Sequence, residues 1–479
     1  MLKLWDILVI VIYFLLIAGL GYFFSGRQKN TKDYFKGGER IPAWAAGLSL
    51  FGTALSPITF MAIPAKTFST DWSYFLLNMS IFLALPLIIG KFIPFYRSKN
   101  VKTAYEFLEL RFNLITRLIG SSCFILYQIG RMGVILFLPA IALNLVSGFD
   151  IFVCITLMGG ISLIYTLLGG IEAVIWTDVV QVFILMGGVV LSLVLIVLSV
   201  EGGLTSILET AQLANKFHVI DLTLSLQQPT LWVMLLGGFF VNLTTYGTDH
   251  TMVQRYLITQ SPRAAKKSVW MGALLTIPST LIFFFVGTAL FVFYKTHPSL
   301  LRPDFITDDA IFPWYIVTQL PVGVAGVLVA AIFAAAMSSL SSSMNSGAAS
   351  FTTDIYNRLG WGKGRNMLST ARWTTLGIGL LGIFFAFFMA TYDIQSLWDE
   401  FNKILGLIFG SLGGVFLLGM VTQKANGKGA IIGLSISFII QILISYLQSV
   451  HLLLYAASGV TSCFVSGYIA SLFFTQKET

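Results

Sequence analysis

Starting at Leu4 the chain runs apolar for about 20 residues, and it does so again roughly a dozen times before Phe473. An apolar run of about 18 residues or more can cross the hydrocarbon core of a bilayer as a helix. Inside that core no water satisfies peptide groups, so only helices and closed barrels can span it. Barrel strands alternate apolar and polar residues over about 10 positions, and these runs do not alternate. The chain is therefore expected to be an all-α polytopic membrane protein. Only 10% of its residues are charged and its mean hydropathy is +0.85, where soluble chains carry roughly 25% charged residues.

Thirteen spans are expected, at about 4–24, 41–66, 74–96, 115–147, 151–169, 174–200, 230–249, 269–293, 312–351, 371–391, 401–422, 428–446 and 449–475. The first is too long for a signal peptide, no A-x-A site follows it, and its positive charge comes after it rather than before. Loops after the odd-numbered spans, such as "SGRQKNTKDYFKGGER", "RYLITQSPRAAKKS" and "TQKANGKG", carry most of the 29 Lys and Arg residues. The opposite loops hold Lys3, Lys216, Lys295 and Arg302. The positive-inside rule then places the N-terminus outside and the C-terminus in the cytoplasm. This distribution also rejects the nucleic-acid reading that a net charge of +8 invites. The outer loops 201–229 and 294–311 have room for short helices. Cys123, Cys154 and Cys463 are odd in number and lie in apolar runs, so neither a disulfide framework nor a metal cluster follows. A multi-pass protein of a bacterial cytoplasmic membrane is expected, with the lipid bilayer as its surroundings.

Two spans look interrupted. In "SLFGTALSPITFMAIPAK", Gly52, Thr53, Ser56, Pro57 and Thr59 crowd the centre, and Pro57 removes a backbone donor and frees carbonyls one turn back. In "GGFFVNLTTYGTDHTMVQRY", Asn242, Thr244, Thr245, Gly247 and Asp249 break the apolar run. With the first span set aside, these open two successive blocks of five. Paired interruptions at matching positions point to an inverted-repeat transporter with its site at the breaks. Simple kinking of packed helices is the competing account.

Polar residues elsewhere in the spans sharpen this. Ser338, Ser341, Ser342 and Asn345 share one helical face, with Ser339, Ser343 and Ser346 beside it. Helix–helix contact needs one or two such serines; a stripe facing freed carbonyls offers the oxygens a monovalent cation wants. Asp178, within a span, needs a partner. No neighbouring basic residue supplies one, a bound cation would, and an interfacial capping role is the alternative. Asp178→Asn is therefore expected to weaken sodium dependence more than substrate affinity. Arg131 sits mid-span, and its guanidinium suits either a substrate carboxylate or an internal partner, Asp178 or Asp249. Lys66, Lys91 and Lys403 read as snorkelling anchors. Residues 398–402 could be an outer gate or a solvated helix start, and Asp249–His250 could bind a proton or cap a half-helix.

The segments "DYFKGGERIPAWAAGLSLFGTALSPITF", "GGIEAVIWTDVVQ", "MVQRYL" and "FAAAMSSLSSSMNS…TTDIY" resemble the sodium:solute symporter family over nearly the whole chain. The resemblance implies a leucine-transporter-type fold. It would have an extra N-terminal helix (4–24), a five-helix repeat (41–200), its inverted copy (230–422) and two C-terminal helices (428–475). It also implies a main Na⁺ site of Gly52, Leu55 and Ala335 carbonyls with Ser338 and Ser339 hydroxyls. A second would use Asp178, Ser341 and Ser342, giving two Na⁺ per cycle. "IGRMGVILFL" is similar to the bacterial sialic acid branch, where the Arg meets the substrate carboxylate. That places Arg131, Ser56, Thr59, Ala54, Tyr74, Asn78 and Asn242 at the substrate; Ala54, Tyr74, Asn78 and the Asn242–Thr245 segment depart from the branch pattern. The expected function is Na⁺-coupled import, by a monomer, of sialic acid or a related acidic sugar. Symport of a neutral sugar, monocarboxylate or vitamin is the alternative, and a transporter-like sensor is the rival from another class. No nucleophile–base pair argues for an enzyme.

Overall fold

The computed structural model describes residues 3–99, 101–148, 150–301, 310–391 and 397–474, less the side chains of 58, 142, 145–147, 397–402 and 404. Among these residues the chain is helical, with one isolated bridge between Ile41 and Thr259. The helices are α1 (Leu4–Ser25), α2 (Thr31–Lys36), α3 (Ala43–Ala54), α4 (Pro57–Ser69), α5 (Phe75–Met79), α6 (Ile81–Leu87), α7 (Ile93–Ser98), α8 (Glu106–Arg111), α9 (Leu114–Ser147) and α10 (Ile151–Ser199). They continue as α11 (Gly203–Leu213), α12 (Leu231–Thr248), α13 (His250–Leu257), α14 (Pro262–Thr296), α15 (Ile311–Gln319), α16 (Val324–Ser350), α17 (Met367–Met389), α18 (Leu397–Val421), α19 (Gly427–Leu447) and α20 (Leu454–Phe473). Ten described helical stretches are long and apolar enough to cross a membrane, and an eleventh arises when α3 and α4 count as one bent span.

The difference from thirteen has two sources. Spans five and six form the single stretch α10, whose 49 residues would reach roughly 70 Å if straight, over twice the hydrocarbon core. It breaks instead at Gly170, where φ is 56° and ψ is −156°. A Cβ at neighbouring Gly169 would lie 2.2 Å from that of Ala173, so only glycine permits so tight a turn. In α18 the part described as apolar is the shorter stretch Leu405–Val421. Span nine also begins later than the sequence suggested. Pro321 and Gly323 (φ 86°) separate α15 from α16, and Asp6 of α1 accepts from the Gly323 and Gly326 N–H groups at 2.7 and 3.0 Å. Helix starts leave unsatisfied N–H groups, and here an acidic side chain from a distant helix serves them.

Two faces follow from the loop contacts. On one, Arg97 donates to Leu257 and Thr259 carbonyls, Arg111 to Gly419 and Thr422 carbonyls, and Arg358 to Glu109. Buried Asp354 accepts from Arg117, Thr103 and Ser350 there. Helices entering from this face carry side-chain N-caps at Asn30, Asn113, Ser261, Asn366 and Asn426. On the other face Lys216 donates to the Phe68 and Thr70 carbonyls, at 2.7 and 2.5 Å, and His218 meets Asp71. The basic loops that the sequence grouped by charge are thus neighbours in space. Residue 302 and the side chains of 398–402 lie outside the described set.

Candidate functional site

Both expected breaks are present. The segments Ala43–Ala54 and Thr59–Ser69 meet at 51°. Leu55 leaves helical geometry (φ −79°, ψ 79°), and the Ser56 N–H turns to Ala54 O at 3.1 Å. Pro57 has no N–H, so the carbonyls of Gly52 and Thr53 lose their helical donors. The second break is Asp249 (φ −70°, ψ 114°), whose carboxylate accepts from the Thr251 N–H at 2.7 Å. Asp249 therefore caps the half-helix α13, one of the two roles the sequence left open.

Between the breaks lies a cavity of about 180 Å³ lined by Ala54, Leu55, Ser56, Thr59, Asn78, Arg131, Asn242 and Asp249. Arg131 Nη2 donates to Thr53 O at 3.2 Å, at one break. Its Nη1 stands 3.9 Å from Asp249 Oδ2, at the other. Its buried Nε has no partner. Asn242 donates to Gly238 O and Ser80 Oγ. Tyr74 is not on this lining. It borders a small adjoining cleft with Lys66 and Asn78, and Lys66 Nζ lies 5.2 Å from its ring centre. Of the residues expected at the substrate, the structure brings together Arg131, Ser56, Thr59, Ala54, Asn78 and Asn242 and leaves Tyr74 at the edge.

The serine stripe divides into two parts with different neighbours. Its first part faces α3: a Cβ on Gly52 would lie 3.6 Å from Ser338 Oγ, so the broken helix and α16 touch here. Ser339 Oγ is fully buried with no hydrogen-bond partner. A buried unpaired hydroxyl is costly, and a cation among the Gly52, Leu55 and Ala335 carbonyls would satisfy it. These residues fit a Na⁺ ion. Ser341 and Ser342 turn their hydroxyls back on Ser338 O, at 3.1 and 2.7 Å.

Asp178 requires a correction. A basic partner is present, and it is Arg255, the first residue of the basic segment "RYLITQSPRAAKKS". Arg255 is fully buried in α13. Its Nη2 lies 3.1 Å from Asp178 Oδ2 and also donates to Ser342 Oγ; its Nε donates to Ser49 Oγ at 2.8 Å and Nη1 to Thr251 O at 2.7 Å. Ser338 and Ser49 complete the carboxylate's hydrogen bonds. The guanidinium thus stands among the very side chains expected at a second Na⁺ site. Eight residues after the Asp249 break still had to complete the crossing, and that was the signal that Arg255 is internal.

The second part of the stripe bonds across to α13, the half-helix after the second break. Gln128 Nε2 donates to Thr251 Oγ1 at 2.8 Å, Thr251 and Ser346 hydroxyls meet at 2.8 Å, and Gln254 Nε2 donates to Asn345 Oδ1 and Phe35 O at 3.0 and 2.7 Å. α13 is thereby stitched to α9, α16 and α2 across the way to the basic face. Interhelical bonds of this kind contribute about 0.6 kcal/mol each. Thr251→Val removes two, about 1.2 kcal/mol together, so it should favour opening toward the basic face about sevenfold. Faster efflux from preloaded proteoliposomes would show it; unchanged efflux and uptake would mean these bonds do not gate.

Known proteins share this architecture from end to end. The sodium/sialic acid symporter SiaT of Proteus mirabilis is 39% identical over 463 residues, which is 96% of this chain and 93% of that one. The sodium/sialic acid symporter NanT of Aliivibrio fischeri is 37% identical, covering 96% and 92%. A solved structure, described as the substrate-bound outward-open state of a Na⁺-coupled sialic acid symporter with a novel Na⁺ site, matches with a TM-score of 0.93. It is 37% identical and covers 99% of this chain and 98% of its own. The fold is the all-α leucine-transporter-type inverted repeat of a multi-pass membrane protein. The sodium:solute symporter model matches residues 34–437, both breaks and the serine helix among them, and the chain belongs to that family.

Proposed function

We propose that this protein uses a Na⁺ gradient to import a small organic anion, N-acetylneuraminate or a related acidic sugar, across a bacterial cytoplasmic membrane. The observation that carries the reading is Arg131. Its guanidinium sits in the central cavity with Nε unpartnered, one bond to Thr53 O and a loose 3.9 Å contact to Asp249, and a planar fork of N–H donors suits a carboxylate. Ser56, Thr59, Asn78 and Asn242 supply polar contacts around it, while Ala54 leaves room. One Na⁺ rests on Gly52, Leu55, Ala335, Ser338 and Ser339 and braces the broken span against α16. A second reaches Asp178, Ser341 and Ser342 when Arg255 gives way. The basic face is cytoplasmic, the N-terminus outside and the C-terminus inside, and the transporter works as a monomer. Rocking of the repeats 41–200 and 230–422 against each other alternates access.

Uptake of labelled N-acetylneuraminate into proteoliposomes, under a Na⁺ gradient or with K⁺ in its place, tests this. Wild type should take it up only with Na⁺. Arg131→Ala should lose at least about tenfold, since charge-assisted bonds contribute about 1.5–3 kcal/mol. Two Na⁺ with one monovalent anion carry net charge, so uptake should then rise with an inside-negative potential, by about 2.3 kcal/mol of driving force per 100 mV; one Na⁺ would make it indifferent. The Arg131–Asp249 contact favours a second reading, an internal ion pair beside a neutral solute. Uptake of a neutral sugar by wild type and no uptake of the acid would select it.

A further inference from the structure

Behind α13, toward the basic face, lies a second cavity of about 370 Å³, larger than the central one. Adjacent residues face the two spaces: Asp249 borders the central cavity and His250 this vestibule. Three side chains in its wall are at least 97% buried, and each has a polar atom without a partner: His250 Nε2, Gln254 Oε1 and Thr352 Oγ1. An unpaired buried polar atom costs free energy, and three wall residues of one cavity each carry one, so this wall gains from a polar occupant that reaches them. The tautomer of His250 follows from its other nitrogen. Nδ1 accepts from the Ala104 N–H at 3.4 Å, so the proton of the neutral ring sits on the unpartnered Nε2.

Charge gives the sign of the occupant. Lys32, Lys36 and Lys102 line the vestibule against a single carboxylate, Glu39. Glu39 lies 3.8 Å from Lys32 Nζ and 3.9 Å from Lys36 Nζ, too far for a tight pair with either. Burial lowers the Lys36 pKa, with Glu39 acting against it, so an anion beside this ammonium would be doubly welcome. The donors are ammonium groups, an imidazole N–H and a hydroxyl, and Gln254 Oε1 is an acceptor for the occupant's own O–H or N–H. A compact carboxylate bearing hydroxyl or amide groups satisfies all of them.

We propose that this vestibule is a second, sodium-independent binding site for the transported acidic solute, occupied after release from Arg131 and before escape to the cytoplasm. The assignment rests on the import reading above. The carboxylate passes from Arg131 to Lys36, Lys102 and His250 as the bonds holding α13 open. None of the oxygens assigned to Na⁺ borders the vestibule, so its occupancy is independent of the ion.

Equilibrium binding of labelled N-acetylneuraminate to the purified full chain, in NaCl and in KCl, tests this. Wild type should bind two molecules per chain in NaCl and one in KCl. Arg131→Ala should keep one site in either salt. Lys36→Gln, and separately the exposed Lys102→Gln, should weaken that residual site about tenfold while leaving the Na⁺-dependent one intact. A single site in wild type, lost with Arg131→Ala, would overturn the vestibule site and leave the import reading standing. Displacement of the residual ligand by an equal concentration of acetate would reduce the vestibule to a patch of charge and also overturn it. Failure of folded wild type to bind the acid at all would overturn both.

Discussion

Asp178→Asn should cost the fold far more than the loss of one sodium ligand would. The substitution leaves Arg255 fully buried with its charge unanswered, and breaking one side of a buried ion pair costs about 3–5 kcal/mol. The mirror substitution, Arg255→Gln, strands the carboxylate instead, with Ser338 and Ser49 still donating to it. The two differ in what can rescue them. A sodium ion can replace a missing guanidinium and cannot replace a missing carboxylate. Thermal unfolding in NaCl and KCl should therefore show Arg255→Gln stabilised by Na⁺ more than wild type is, and Asp178→Asn not stabilised through this site. At a hundredfold excess over its dissociation constant, an ion contributes about 2.7 kcal/mol. The double variant removes both charges and should recover most of the loss, since neutral replacement of a buried pair is often nearly free. If the double variant is as unstable as the two losses added, the residues are not coupled and Arg255 does not compete with the ion.

That pairing also marks where the sequence stopped being informative. Apolar runs, the two breaks and the grouping of basic loops rest on local rules, namely run length, proline and glycine chemistry, and charge. Each is found in the structure: the 51° bend before Thr59, the half-helix cap at Asp249, the interlocked Arg97, Arg111 and Arg358 loops. The misses concern residues far apart in sequence. Asp178 and Arg255 are separated by 77 positions, and a charge at a span's edge looks like a loop charge until the following half-helix is known to be buried. Asn345 and Ser346 read as part of one cation-binding stripe, yet they bond across to Gln254 and Thr251 of the same half-helix. A stripe of polar residues shows that something polar faces it; which partner does so depends on the packing of another helix. The turn at Gly170 escaped for a different reason. Apolar residues continue through it, and hydropathy cannot see a reversal made by one glycine with positive φ.

Ser339→Ala should change sign with the cation present. Its hydroxyl is buried without a partner, so the fold without Na⁺ bears the desolvation of an unused polar group, about 1–3 kcal/mol. Alanine removes that cost and adds nothing the packing must accommodate, because the side chain only becomes smaller by one oxygen. In KCl the variant should be at least as stable as wild type. In NaCl the order reverses, since the hydroxyl is one of the five oxygens proposed to hold the ion. Half-saturation of uptake by Na⁺ should rise about tenfold or more, the effect of losing one hydrogen-bond-strength contact to a charge. Ser338→Ala would not show this crossover. Its hydroxyl donates to Asp178 Oδ1 at 2.6 Å, so its loss weakens the Asp178–Arg255 cluster in either salt. The contrast between adjacent serines separates a hydroxyl whose only proposed partner is the ion from one that also bonds to Asp178. Equal destabilisation of Ser339→Ala in NaCl and KCl, with Na⁺ half-saturation unchanged, would remove Ser339 from the sodium site and leave the Gly52, Leu55 and Ala335 carbonyls with the Ser338 hydroxyl as its support.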